Sequence, residues 1–177
     1  MNFCRPAKKS SSPTIPLLHG AGWVAPEFIG MEDVWDKIEY LPVYGKPKPW
    51  DFKNYIPHVI IVAVGQNDSY PEDYMKKDPH SPKSENWRNH YESFLRKLRE
   101  TYPKALIIAA TTILRHDESW DDSIGGVCRR VGDPKIVRFL YTRNGRGTPG
   151  HIRIPEADEM SDELCGFIRS FGENLWK

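Results

Sequence analysis

From about residue 56 onward the apolar positions follow two alternating rhythms: short unbroken runs rich in β-branched residues, and longer stripes repeating every three or four positions. Residues 59–64 (Val-Ile-Ile-Val-Ala-Val) are a nearly continuous apolar run, which predicts a parallel strand buried on both faces. Trp87, Tyr91, Phe94, Leu95 and Leu98 then form one stripe, predicting a helix over 84–102 that Pro103 helps to stop. Residues 105–112 read as a second buried strand, 121–131 as a helix weakened by Gly125 and Gly126, and 135–141 as a third strand. A last helix is predicted over 155–171. Pro155 suits its first turn, Glu156, Asp158 and Glu159 complement the positive end of its dipole, and Gly172 ends it. Ala157, Met160, Leu164, Phe167, Ile168 and Phe171 are its predicted buried face.

The pattern upstream is less regular. Residues 1–12 are polar and end in Lys-Lys-Ser-Ser-Ser, which predicts a disordered tail, with 13–177 as a single α/β domain. Residues 15–18 are short and apolar, and Pro13 and Pro16 would confine them to an edge strand. An aromatic-rich irregular stretch runs from Gly20 to Trp50, and Val34, Trp35 and Ile38 predict a weak helix over 32–40 inside it. Loops of this length in a compact domain are usually functional. Strand and helix alternating in this order predict a three-layer α/β/α sandwich around a mostly parallel sheet, flavodoxin-like in plan.

Composition narrows the function classes. A chain of 177 residues suits one domain with a sound core. Lys and Arg number 25 against 24 acids, a balance that argues against nucleic acid or a membrane surface as the main partner. Lys46, Lys48 and Lys53 alternate with Pro47 and Pro49 and read as a solvated loop. Cys4, Cys128 and Cys165 have no metal-ligand spacing and are expected to be buried or idle thiols. No cofactor or metal is implied. The first residues contain no signal-peptide core, so the sequence as written reads as cytoplasmic; a leader further upstream would make it secreted or periplasmic.

Ligands of an open parallel sheet bind outside the carboxyl ends of its strands, where Gly65-Gln66-Asn67-Asp68 is expected. The Asn67 amide suits either a donor to an oxyanion or a turn residue. Asp68 reads as a residue that stabilises the turn. His151 follows a Gly/Pro loop and precedes a helix; its imidazole suits a general base or a surface position. His19, His58, His80, His90 and His116 show no comparable setting. Trp23, Trp50 and Trp120 are expected in loops near the same edge, either stacking on a ligand or packing the loops. No strand is followed by a Gly-rich phosphate loop, which argues against a phosphate-binding domain.

The block from Pro57 through Gly65-Gln-Asn67-Asp68 and the block Gly147-Thr-Pro-Gly-His151-Ile-Arg-Ile-Pro resemble the third and fifth blocks of the SGNH (GDSL-type) esterases. They are most similar to the acetyl-carbohydrate esterases of carbohydrate esterase family two, over roughly residues 18–171. The resemblance implies a serine ester hydrolase acting on a carbohydrate or other small ester, with His151 as general base and Asn67 and Gly65 in the oxyanion site. The family's acid falls at Thr148, which cannot ionise, so the resemblance implies a Ser–His dyad in place of a triad. Pro13 stands near the expected second-block glycine and has no N–H to donate. The Gly-Asp-Ser block with its strand is not found, and Ser10, Ser11 and Ser12 lack a strand–turn–helix context. Loss of the nucleophile removes most of the rate of a serine hydrolase, so a non-catalytic descendant binding an acylated sugar or a protein partner is the alternative. The missing first strand further implies that residues 15–18 pair with 59–64, or that an exposed edge self-associates.

Overall fold

The computed structural model describes residues 16–19, 29–39, 45–111, 114, 116–143 and 146–176. The tail at 1–12, its serines, Cys4, Ile15 and Trp23 lie outside the described residues. The order of elements is α1 (Met31–Val34), β1 (Val59–Val62), α2 (Tyr74–Lys77), α3 (Pro82–Thr101), β2 (Leu106–Ala110), α4 (Glu118–Val131), β3 (Ile136–Phe139) and α5 (Ile154–Arg169). The strands pair in parallel in the order β1-β2-β3, with Ile61 beside Ile108 and Ile108 beside Val137. The class is α/β, as predicted.

Alternation along the strands divides the core into two layers. Val62, Ile107, Ala109 and Ile136 meet Trp87, Tyr91, Leu95 and Leu98 of α3 and Ile124 and Val127 of α4 in one buried cluster. Removing such a large side chain from water contributes about 1.5–3 kcal/mol, so this layer supplies the main favourable term. Its helices begin on side-chain caps: the Ser84 amide donates to Ser81 Oγ at 3.2 Å, and the Ser119 amide to Asp117 Oδ1 at 3.1 Å. On the opposite face Phe167 of α5 packs on Phe139 with ring centroids 4.9 Å apart. Arg99 ties the amino edge together, donating to Asp133 Oδ2 at 2.6 Å and to the Ala105 and Lys135 carbonyls.

The structure corrects several expectations. β2 is wholly buried, but β1 is not buried on both faces, because Ile61 is 48% exposed beside the inaccessible Ile108. Among the described residues β2 is the one strand that pairs with β1. Residues 16–19 are not an edge strand, since the Leu17 and Leu18 amides donate to the Asp68 carboxylate instead of to β1. The predicted helix over 32–40 shrinks to four residues; the chain then turns back through a bridge between Lys37 and Pro49, leaving Ile38 exposed. On α5 only Glu156 and Met160 are fully buried, and Phe171 lies exposed beyond its end. Cys128 is free, with a thiol pushed up by burial, but Cys165 is disulfide-bonded and not an idle thiol.

Candidate active site

Parallel pairing puts the segments that follow β1, β2 and β3 at one edge of the sheet, and each carries polar side chains. After β1 the chain passes through Gly65, which is buried with φ +117. A Cβ there would meet Trp87 Cζ2 at 3.1 Å and Trp120 Cε3 at 3.5 Å, so only glycine lets the backbone cross these two rings in this conformation. The turn Asn67–Ser69 follows, closed by the Ser69 hydroxyl donating to the Gln66 carbonyl at 2.7 Å. Asn67 opens it, half-buried. The Gln66 side-chain oxygen is buried without a hydrogen-bond partner.

Asp68 anchors this corner. It is 1% exposed and accepts the Leu17 amide at 2.8 Å and the Leu18 amide at 3.0 Å. Burial raises its pKa to about 6 despite those two donors, which pull the other way. The reading of Asp68 as a structural acid thus gains a physical content: it holds residues 17–18 against the Asn67 turn across fifty positions of sequence.

The segment after β2 holds a group that spacing did not reveal. His116 Nε2 lies 2.5 Å from Asp121 Oδ1 and its Nδ1 lies 2.8 Å from the Leu114 carbonyl, with both side chains nearly inaccessible. An i, i+5 pair that turns from a loop onto a helix matches no metal or catalytic spacing, so the sequence carried no signal for it. Among the described residues no cluster of three or more His, Cys, Asp or Glu is arranged to hold a metal ion.

His151 is exposed, on the loop between β3 and α5. Glu156, 3% exposed in the first turn of α5, pins that loop by accepting the Gly147 amide at 2.8 Å. The Thr148 hydroxyl and the Gly147 amide hold the Glu156 carboxyl below the usual range. The acidic first turn read as dipole compensation contains this specific contact.

Neither Trp50 nor Trp120 sits in the loop setting expected for it. Trp120 lies in the first turn of α4, not in a loop, and is 2% exposed. Its ring meets Trp87 and Tyr74 edge-on, and its Nε1–H donates to Asp73 Oδ1 at 2.9 Å. Trp50 is partly exposed, but its neighbour Phe52 packs on Tyr102, just before β2, which puts this stretch toward the amino edge. Trp23 is not described.

No protein-family model matches the chain, and no curated protein matches it either. Solved structures do. A family two carbohydrate esterase from Cellvibrio japonicus superposes with a TM-score of 0.66 at 20% identity, over 82% of this chain and 42% of that one. The fold is that of the family two carbohydrate esterases. An active-site mutant of the Clostridium thermocellum member matches at TM-score 0.64 and 23% identity, over 88% of this chain and 46% of that one. An acetyl xylan esterase from the rumen bacterium Butyrivibrio proteoclasticus matches at 0.59 and 19%, over 80% and 45%. The chain spans less than half the length of these three structures. These matches cover 80–88% of this chain and agree in fold with the resemblance carried by the blocks around Asn67 and His151.

Proposed function

We propose that the chain is the α/β portion of an SGNH-type carbohydrate ester hydrolase that removes acetyl groups by a Ser–His mechanism. In this reading His151 takes the proton from the attacking serine, which none of the described residues supplies, and returns it to the leaving sugar hydroxyl. The Asn67 amide donates to the oxyanion of the tetrahedral intermediate, beside the turn that begins at Gly65. The observation that carries the reading is topological. Asn67 follows β1 and His151 follows β3 in a parallel sheet, so both connections leave the same edge. The ends of β1 and β3 lie two strand spacings apart, about 10 Å, a span that a substrate acyl group and a serine can bridge if the two loops turn toward each other. The carbohydrate substrate is supported by the fold's relatives, one of which, from Clostridium thermocellum, was solved with cellohexaose.

The test is hydrolysis of acetylated xylan and of a chromogenic acetyl ester by the purified chain. His151→Ala should abolish turnover, and Asn67→Ala should lower it about a hundred- to a thousandfold. Turnover that survives His151→Ala refutes the assignment of the base.

One observation favours a second reading, a domain that binds an acylated sugar or a protein partner without turnover. No described serine stands on a strand-to-helix elbow; Ser69, in the turn itself, has its hydroxyl engaged by Gln66. Binding of acetylated xylan without turnover is the outcome this reading predicts.

A further inference from the structure

A cleft of about 670 Å³ opens at the carboxyl end of β3, lined on the α4 side by Glu118, Asp121 and Asp122 and on the other by Arg138, Tyr141 and Arg146. Its size is that of sites for small organic ligands. Asp121 is occupied by His116. Arg138 is not matched in this way. It rises from β3 and lies flat across α4 at Gly125, where a Cβ would stand 2.8 Å from its guanidinium and 2.9 Å from its Cδ. The glycine that weakens α4 in the sequence pattern is thus the one that makes room for a cation. The Arg138 Nε is buried without a hydrogen-bond partner, and its guanidinium makes no ion pair with a described residue. A half-buried guanidinium that no carboxylate among the described residues contacts directly is costly, and it is compensated when an anion enters. Arg146 adds a second cation at the rim that makes no ion pair with a described residue, while Arg143 is committed to Glu159. Glu118 and Asp122, on the facing wall, are acceptors suited to hydroxyl groups.

We propose that this cleft is a subsite for a sugar bearing a carboxylate, with Arg138 and Arg146 holding the carboxylate and Glu118 and Asp122 accepting hydroxyls. The acids on the facing wall disfavour a free anion and favour one presented on a hydroxylated ring. Leu140, 45% exposed beside them, offers an apolar patch for the face of that ring. The inference rests on the carbohydrate reading above and narrows it: the polysaccharide carries uronic acid units near its acyl esters.

The experiment is calorimetric titration of the purified chain with a glucuronic-acid-bearing xylo-oligosaccharide, a neutral xylo-oligosaccharide of equal length, and inorganic phosphate. The acidic oligosaccharide should bind at least about tenfold more tightly than the neutral one. Arg138→Gln should erase that preference. Arg146→Gln, at an exposed position where folding is not at stake, should reduce it. Equal binding of both oligosaccharides refutes the subsite and leaves the carbohydrate reading standing. Binding of neither refutes both. Phosphate binding with the same dependence on Arg138 would identify a free-anion site and overturn the proposal.

Discussion

Asp68→Asn separates the cost of burying a charge from the value of the hydrogen bonds it makes. The substitution keeps the size of the side chain but leaves one acceptor oxygen for two backbone donors, at 2.8 and 3.0 Å. Losing one such bond to a charged acceptor costs about 1.5–3 kcal/mol. Burial moves the folded-state pKa up, from an ordinary 3.8 to about 6. A raised pKa means that the folded state favours the protonated acid. The stability this contributes is therefore complete below 3.8 and is lost as pH rises through about 6. A shift of about two units corresponds to roughly 3 kcal/mol. Urea unfolding of both proteins between pH 4 and 7.5, followed by tryptophan fluorescence, reads the difference directly. The advantage of wild type over Asp68→Asn should shrink by up to about 3 kcal/mol across that range. Other acids titrate in both proteins and cancel. An advantage that grows with pH would mean the folded state prefers the carboxylate, and the argument from burial would fail.

Gly65→Ala forces an unfavourable positive φ and brings a methyl to 3.1 Å from Trp87; it should destabilise by about 2–4 kcal/mol and alter the near-UV circular dichroism of the paired indoles. His116→Ala removes a buried hydrogen bond to Asp121 and should cost about 1–3 kcal/mol in chemical denaturation, whereas His116→Gln should recover part of it. Glu156→Ala releases the Gly147 amide, so hydrogen exchange across 146–151 should accelerate while α3 and β2 remain protected.

The parts legible in the sequence are those whose residues interact at short range or with one period. The α3 stripe from Trp87 to Leu98 predicts both the helix and its buried face, because every third or fourth residue meets the same layer. The valine and isoleucine run of β1 records apolarity, not the number of neighbours a strand finds, so Ile61 meets solvent where Ile108 does not. The turn at Gly65-Gln-Asn67-Asp68 was visible as a corner, yet the partners of Asp68 lie fifty residues upstream and left no trace in local pattern. Gly125 and Gly126 obscure the start of α4 in the sequence, and with it the helical position of Trp120; Arg138 explains the first of these glycines. The contacts of Glu156 and His116 carry no sequence signal for a related reason. Each residue is defined by one contact with a loop amide or with a helix carboxylate, and neither contact has a period.

The direct measurement for the hydrolase reading is a nitrogen-edited NMR titration of the side-chain amide of Asn67 and the imidazole of His151 with an acetylated xylo-oligosaccharide, which requires no turnover. A single bound acyl group should shift both signals along one saturation curve. Shifts confined to one of them, or saturating at different concentrations, would place the amide and the imidazole at separate sites and contradict a shared acyl carbonyl.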